Sequence, residues 1–333
     1  MSRRPLTFIV GTGRCGSTAL SDVLRLHPGV LSLSELITTL EPGALPDRPI
    51  DGERFWSLLA SARPFADRMI REGTPLPEHL YPRTAGRFSA DSGIPAVCLT
   101  TLPHLTSTPD ELFDVLRPVL AGRADAPVAD HYRALFDTLA ERFGHRAVVE
   151  RSGFSLGLVP QLRAHFPEAR FVHLYRDGPD CALSMSRHPG FQLVQLMTEA
   201  ARGSGGDVPA DLERLLADDS YDLASALRRP VPVERYGALW SGMITSGLAA
   251  LDEIPAASRM SLAFEDLLDT PEHALTRLAG HLGVDADPVW IAAAGTILDA
   301  GRRGASAQLS DSELATLRAS CAPASRALAR SAA

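Results

Sequence analysis

Four short runs of apolar and β-branched residues stand out along the chain, and each has the length of a buried strand. They cover residues 6–10, 147–150, 171–175 and 260–264. Largely apolar runs of this kind are typical of strands that are covered on both faces of a parallel sheet. The hydrophobic pattern therefore predicts the strands of a parallel sheet.

Between these runs, apolar residues recur with the spacing of amphipathic helices. The helix predicted after the first strand, over residues 17–26, is followed by the stop signal His27-Pro28-Gly29. Strands that alternate with helices predict an α/β fold, with a P-loop-like parallel sheet and helices on both of its faces. Further helices are predicted over residues 53–72, 112–120, 132–143, 156–166, 179–187, 236–254, 271–282 and 311–319.

Composition narrows the possible functions. The chain has 333 residues, 45% of them hydrophobic and 22% charged, with a net charge of −7. An acidic chain offers no excess positive charge to displace phosphate counterions, which argues against general nucleic-acid binding. No run reaches the ~18 apolar residues of a membrane span, and no signal-peptide core follows the N-terminus. We therefore expect a cytoplasmic protein.

All 33 residues counted as Lys or Arg are arginine. Chemistry that needs a lysine, such as a Schiff base or a P-loop ammonium, is thus excluded. Cationic contacts with a ligand must come from arginine, whose planar guanidinium suits phosphate and sulfate oxygens. The four cysteines and the scattered histidines show no metal-ligand spacing, so no metal site is predicted.

A glycine-rich segment follows the first strand and opens the first helix. Backbone N–H groups at such a helix N-terminus bind anions, and the helix dipole assists them. The nucleotide P-loop has a lysine where this chain has Ser17, and the cation here is Arg14 inside the loop. This difference disfavours an ordinary NTPase or kinase, while a purely structural turn stays open. The candidate binding residues are Gly11, Gly13, Arg14, Cys15, Gly16, Ser17 and Thr18.

A second candidate anion site follows the third strand. Arg176 stands at the carboxyl end of that strand, and Ser184 lies in the second turn of the next helix. A guanidinium and a hydroxyl can converge on one oxyanion, although an ion pair of Arg176 with Asp177 or Asp180 is the alternative. Ligands of parallel sheets bind at the carboxyl ends of the strands. Two anion sites there predict a ligand with two separated phosphates, such as 3′-phosphoadenosine 5′-phosphosulfate (PAPS).

In these segments the chain resembles the sulfotransferase family, most closely the branch that includes protein-tyrosine sulfotransferases and many bacterial members. Residues 14–18 match the R-S-G-[ST]-T loop of that branch, with Cys15 as a departure. His27-Pro28 matches the end of the next helix. Arg176 and Ser184 match, at the same spacing, the family segment that binds the 3′-phosphate.

The resemblance implies sulfuryl transfer from PAPS to a hydroxyl or amine, with adenosine 3′,5′-bisphosphate (PAP) as product and no metal. Glu35 stands at the place of the family's catalytic glutamate and is expected to be the general base; from the residues alone, it could equally cap a helix. Arg14 or Arg151 is expected to stabilise the leaving oxygen, unless Arg151 is a surface residue. Arg302 and Arg303 resemble the loop over the 3′-phosphate, and a generic basic loop explains them as well.

The acceptor is left open by the resemblance and could be a small molecule, lipid, glycan or peptide. One sulfotransferase-like domain is expected over residues 1–333, in which 41–130 and 188–233 are excursions on the acceptor side. A P-loop-type small-molecule kinase and a non-catalytic nucleotide-binding protein are the alternatives. His104 and His131 are the next candidates for a base, whereas His173 is expected in the core.

Overall fold

A five-stranded parallel sheet forms the centre of the computed structural model, which describes residues 3–83, 86–203, 222–299, 301 and 303–331. The strand order is β2-β3-β1-β4-β5, so β1 lies in the middle. All described neighbours run parallel, so their carboxyl ends share one edge of the sheet. The strands are β1 (Leu6–Val10), β2 (Val30–Ser34), β3 (Ala147–Arg151), β4 (Arg170–Tyr175) and β5 (Arg259–Ala263).

The sequence pattern predicts four of these strands to within one residue at either end and misses β2. This strand reads Val-Leu-Ser-Leu-Ser, and its serines obscure a buried pattern. The hydroxyls of Ser32 and Ser34 lie 3.2 and 2.9 Å from the hydroxyl of Ser21. The serines are thus buried because they satisfy one another, a pairing that a local pattern does not reveal.

Helices cover both faces of the sheet, which confirms the predicted fold class. Alternate residues of β1 enter opposite cores: Phe8 packs on one face and Ile9 on the other. The helices are α1 (Ser17–Arg25), α2 (Leu36–Leu40), α3 (Gly52–Ala60), α4 (Pro64–Arg71), α5 (Ala96–Leu99), α6 (Leu102–Leu105), α7 (Pro109–Ala121), α8 (Val128–Phe143), α9 (Val159–His165), α10 (Gly178–Ser186), α11 (Pro189–Gly203), α12 (Leu223–Leu227), α13 (Val233–Asp252), α14 (Phe264–Asp269), α15 (Pro271–Leu282), α16 (Pro288–Ile297) and α17 (Asp311–Ser331).

Two predicted helices differ from their observed bounds more than the others do. The helix expected over residues 53–72 is divided into α3 and α4, because Pro64 starts a new helix. The helix expected to end near residue 319 continues through Pro323 to residue 331. Packing against α13 stabilises this extension, and the Ala324 N–H donates to Ser241 Oγ at 3.2 Å. Within the described ranges, no helix has both the length and the apolar character needed to cross a bilayer.

His173 is a core residue of β4, as expected, and is 1% exposed. Neither ring nitrogen has a hydrogen-bond partner among the described residues. Burial lowers the pKa of His173 from 6.5 to about 4, so the folded ring is neutral at pH 7. As the pH falls, His173 therefore takes up a proton in the unfolded chain at a higher pH than in the folded protein.

We predict that His173→Phe makes the protein less sensitive to acid. Because the folded pKa is lowered, the stability that depends on a neutral ring is present above pH 6.5 and is lost as the pH falls toward 4. At pH 5 this loss is about 2 kcal/mol, from ~1.4 kcal/mol per pKa unit. Melting temperatures at pH 7 and pH 5 test it. The exposed His273→Phe is the control, and equal acid-induced drops in the wild type and His173→Phe would contradict the prediction.

Candidate active site

A cavity of about 560 Å³ lies at the carboxyl ends of the strands. The segment after every strand contributes to its wall. These segments supply residues 13, 14 and 16–19 after β1, Glu35 after β2, Gly153 after β3, Arg176 after β4 and Phe264 after β5. Ligand binding is expected at the carboxyl ends of the four predicted strands, and the end of β2, a strand that the pattern does not predict, also lies at this cavity.

The glycine-rich segment forms a tight turn between β1 and α1. Gly13, Arg14 and Gly16 have positive φ angles of 74°, 57° and 90°. A Cβ at Gly16 would come within 2.1 Å of the Phe264 ring, so glycine is required there by both backbone conformation and space. Gly16 is the N-cap of α1 and has no side chain, so the first N–H groups of α1 are available to an anion.

Gly11 and Cys15 of the predicted anion loop lie beneath the loop and away from the cavity. A Cβ on Gly11 would lie 2.7 Å from the carbonyl oxygen of Leu174, so the loop packs closely on β4 there. Cys15 is 1% exposed, and burial raises the pKa of its thiol. Neither is among the residues that line the cavity. In the structure these two positions support the loop from below, and the binding role expected for them stays a prediction.

The two predicted anion segments meet at Arg14. Its Nε donates to Ser184 Oγ at 3.2 Å, and its Nη1 lies 3.6 Å from Glu78 Oε1. The other oxygen of Glu78 lies 3.2 Å from His188 Nε2. Burial opposes ionisation of Glu78, but His188 and the Arg14 charge outweigh it and lower the pKa of Glu78 to about 2. Sequence reasoning did not find Glu78 or His188, because no local motif contains them.

Arg176 lines the cavity and is 8% exposed. Its guanidinium carbon lies 5.4 Å from the centre of the Phe264 ring, and its Nη2 lies 3.3 Å from Asp180 Oδ2. The ion pair with Asp180, considered above as an alternative, is thus present together with exposure to the cavity. Asp180 also accepts the N–H groups of Gly304 and Ser306 at 2.7 and 2.9 Å. These bonds hold the segment around residue 304 beside the Arg176 site.

Arg302 and Arg303 belong to this segment, and both are predicted to lie over the 3′-phosphate. Arg302 lies outside the described residues. Arg303 forms an ion pair with Asp269, and the two side chains are about half exposed. Arg303 is not among the residues that line the cavity. The structure places its guanidinium against the Asp269 carboxylate, and its contact with a phosphate stays a prediction.

Glu35 lines the cavity between β2 and α2, and its side chain is 12% exposed. Its Oε1 pairs with the guanidinium of Arg151. Its Oε2 accepts the Gly153 N–H at 2.9 Å and the Thr38 hydroxyl at 3.0 Å. These three donors leave one of the roughly four lone-pair positions of a carboxylate open to a further proton donor. The carboxylate is thus oriented and still able to accept a hydrogen bond.

The Glu35 side chain does not cap helix α2, which was the alternative to its role as a base. Glu35 occupies the N-cap position of α2, with a positive φ of 57°, but its side chain makes no capping hydrogen bond to that helix. Arg151 is 3% exposed, so its interpretation as a surface arginine is wrong. Its guanidinium also binds Ser34 Oγ and does not line the cavity. Of the two arginines predicted at the leaving oxygen, only Arg14 lines the cavity. The Arg151 guanidinium instead neutralises the Glu35 carboxylate.

His104 and His131, the alternative candidates for the base, lie away from the cavity. His104 Nε2 is 3.2 Å from Ser21 Oγ, and burial lowers the pKa of His104 to about 3. His131 stacks on Phe55 and places its Nε2 2.7 Å from the carbonyl oxygen of Ile50. Neither histidine is among the residues that line the cavity.

Another part of the cavity wall is largely apolar. It comes from both segments expected on the acceptor side, 41–130 and 188–233, with Phe154 between them in sequence. Phe154 has a positive φ of 61° and packs edge-on against Phe191 at 5.5 Å between ring centres. The apolar side chains of this wall include Pro42, Pro64, Phe65, Leu76, Leu99, Phe154, Phe191 and Val194.

We predict that Arg151→Met destabilises the protein by roughly 3–5 kcal/mol, because it leaves the buried Glu35 carboxylate without its cation. Urea denaturation measures this loss. Arg303→Met is the control, since removing an exposed ion pair changes stability by about 0–1 kcal/mol. Similar losses in both variants would contradict the assignment of Arg151 to a buried ion pair.

Comparison with known proteins identifies one matching family. Residues 5–288 match the model described as the sulfotransferase family. No curated protein matches the chain significantly. Among solved structures, the chain is similar to the sulfotransferase domain of the Synechococcus PCC 7002 olefin synthase, at 16% identity and a TM-score of 0.48, with 96% of this chain and 95% of that chain covered.

Two other solved structures show comparable similarity. The sulfotransferase domain from the curacin biosynthetic pathway is 17% identical, with a TM-score of 0.47 and coverage of 93% of this chain and 84% of that chain. Sulfotransferase STF9 from Mycobacterium avium is 15% identical, with a TM-score of 0.43 and coverage of 95% and 75%. Similarities at this level carry no argument about activity, so the assignment depends on the family match.

Proposed function

The chain belongs to the sulfotransferase family, and from that premise we propose that it transfers a sulfuryl group from PAPS to a hydroxyl or amine of an acceptor. One observation carries the proposal. A single cavity is lined by the N-terminus of α1, by Arg14, by Arg176 with Ser184, and by the Glu35 carboxylate. These are the groups needed to hold a doubly anionic donor and to accept a proton.

The donor is proposed to bind across the two anion segments. The N–H groups at the start of α1, together with Arg14, would hold the 5′-phosphosulfate. Arg176 and Ser184 would hold the 3′-phosphate through charge-assisted hydrogen bonds. The 3.2 Å contact between Arg14 and Ser184 supports this division, because two phosphates of one nucleotide require adjacent sites.

In the proposed reaction, Glu35 accepts the proton of the acceptor hydroxyl or amine. The acceptor atom forms a bond to sulfur while the bond from sulfur to the 5′-phosphate oxygen breaks. The electron pair of that bond leaves with PAP. The Arg14 guanidinium and the amides of the loop stabilise the charge that develops on the leaving oxygen. Guanidinium and amide groups supply the positive field, so the proposal includes no metal.

The acceptor is proposed to bind against the apolar wall. This wall comes from the segments 41–130 and 188–233 and faces the same cavity as Glu35. Its apolar character supports an acceptor with substantial apolar surface around the reacting group. A single domain over residues 1–333 and a cytoplasmic location stay predictions. A screen of acceptors with ³⁵S-labelled PAPS would identify the substrate.

We predict that PAP raises the melting temperature through linkage and that adenosine 5′-monophosphate and ATP raise it much less. Arg176→Ala should weaken PAP binding by about 1.5–3 kcal/mol, the range for a hydrogen bond to a charged group. Isothermal titration calorimetry measures this change. Arg163→Ala removes an arginine from an exposed ion pair with Glu253 and serves as the control. Equal shifts from PAP and the monophosphate would contradict the two-phosphate site, and a larger shift from ATP would favour a kinase.

We predict that Glu35→Gln lowers kcat about 10²–10⁴-fold, because glutamine cannot accept the proton. The affinity for PAP should barely change, since the Glu35 carboxylate offers no attraction to an anion. Turnover of the acceptor found in the screen, together with PAP calorimetry, tests this. Glu168→Gln is the matched control, because Glu168 pairs with the largely buried Arg133. Glu168→Gln should lower stability and leave kcat normal. A normal kcat in Glu35→Gln would show that Glu35 is not the base.

A further inference from the structure

The N-terminus of α2 is capped by two side chains from the end of β3 and the residue that follows it. The Ile37 N–H donates to Glu150 Oε1 at 3.2 Å, and the Thr38 N–H donates to Ser152 Oγ at 3.3 Å. The Ser152 hydroxyl in turn donates to the same Glu150 oxygen at 2.6 Å. Glu150 and Ser152 are each 1% exposed. They perform the role that normally belongs to the side chain of the N-cap residue, which here is Glu35.

This arrangement leaves the Glu35 carboxylate available for the cavity. A polar N-cap side chain ordinarily bonds to the N–H of the second or third helical residue. In α2 those two N–H groups belong to Ile37 and Thr38, and both are already bound. The carboxylate of Glu35 therefore bonds to Arg151, Gly153 N–H and the Thr38 hydroxyl, and it lines the cavity.

The backbone at Glu35 also needs support from its surroundings. A positive φ of 57° is unfavourable for a residue other than glycine and persists only where neighbouring contacts hold it. The Glu35 N–H donates to the Arg151 carbonyl at 2.8 Å, which fixes one side of the turn. The bonds of Glu150 and Ser152 to the first turn of α2 fix the other side.

Glu150 is an unusual residue for a purely structural position. It has no ion pair among the described residues, and a buried carboxylate without one is unfavourable. Burial, with a contribution from the nearby Glu35 charge, raises the pKa of Glu150 to about 7 against the hydrogen bonds from Ser152 and Ile37. An uncharged side-chain oxygen could accept the same two hydrogen bonds without the cost of burying a charge. Stability alone therefore gives little reason for a carboxylate here.

We propose that Glu150 and Ser152 are positioning residues that cap α2 and thereby hold Glu35 in its cavity-facing conformation. The inference depends on the proposed function, in which Glu35 accepts the proton of the acceptor. Neither residue lines the cavity. Their effect on the reaction is expected to pass through Glu35 and to leave donor binding unchanged.

The test is a double-mutant cycle with Glu35→Gln. Glu150→Met, which removes the acceptor oxygen, and Ser152→Ala are made alone and in the Glu35→Gln background, and release of PAP from PAPS is measured with 4-nitrophenol and with water alone. Each single substitution should slow PAP release about 10- to 100-fold, the scale for misplacing a reacting group by an ångström. Neither should slow it further in Glu35→Gln, since residues that act as one unit are not additive. PAP affinity should stay unchanged in all variants.

Asp110→Asn is the matched control. The Asp110 carboxylate accepts the Tyr81 hydroxyl at 2.6 Å and the Arg87 N–H at 2.9 Å, the same two kinds of donor that Glu150 binds. It lies outside the cavity wall. Asp110→Asn should lower the melting temperature and leave the rate of PAP release normal.

Normal rates in both single variants, or equal losses with and without Glu35→Gln, would overturn the positioning role. A normal rate in Glu35→Gln itself would instead refute the proposed base, so the two failures are distinguishable. Crystal structures of Glu150→Met and Ser152→Ala give a readout independent of turnover. Loss of the observed Glu35 conformation is expected in them, and an unchanged Glu35 would overturn the inference. Ser152→Ala removes only one hydroxyl and keeps the test possible if Glu150→Met does not fold.

Discussion

Parallel pairing on both sides of β1 is the constraint on which the site depends. Because Ile9 pairs with Arg151 of β3 and Val10 pairs with His173 of β4, the loop after β1 emerges between the ends of its two neighbours. The anion loop is thus placed beside Gly153 on one side and Arg176 on the other. A shift of register on either side would separate the groups that now line one cavity.

The charged groups around the cavity are held in place by one another. Glu35 is bound by Arg151, Arg176 lies beside Asp180, and Glu78 lies between Arg14 and His188. Such pairing fixes side-chain directions and lowers the entropy that ordering would otherwise require on binding. Arginine suits this role, since its planar group can bond to a protein carboxylate and to a ligand oxygen together.

Backbone strain is concentrated at the same place. Among the described residues, the non-glycine residues with positive φ are Arg14, Glu35 and Phe154, and all three line the cavity. Such conformations are unfavourable and are maintained by the contacts around them. In this protein those contacts include the packing of Phe154 on Phe191 and the bonds from the end of β3 to the turn at Glu35.

Four strands, the α/β class and both candidate anion segments can be predicted from the chain alone, because each is a local pattern. The glycine-rich turn and the spacing from Arg176 to Ser184 can be recognised within a few residues. Contacts between distant parts of the chain make β2 a strand, bury Arg151 behind Glu35 and bring Glu78 to Arg14, so only the folded protein reveals them. Arg151 and Glu35 are 116 positions apart, so their bond leaves no local signal. The strand order brings them together, and burial makes their pairing necessary.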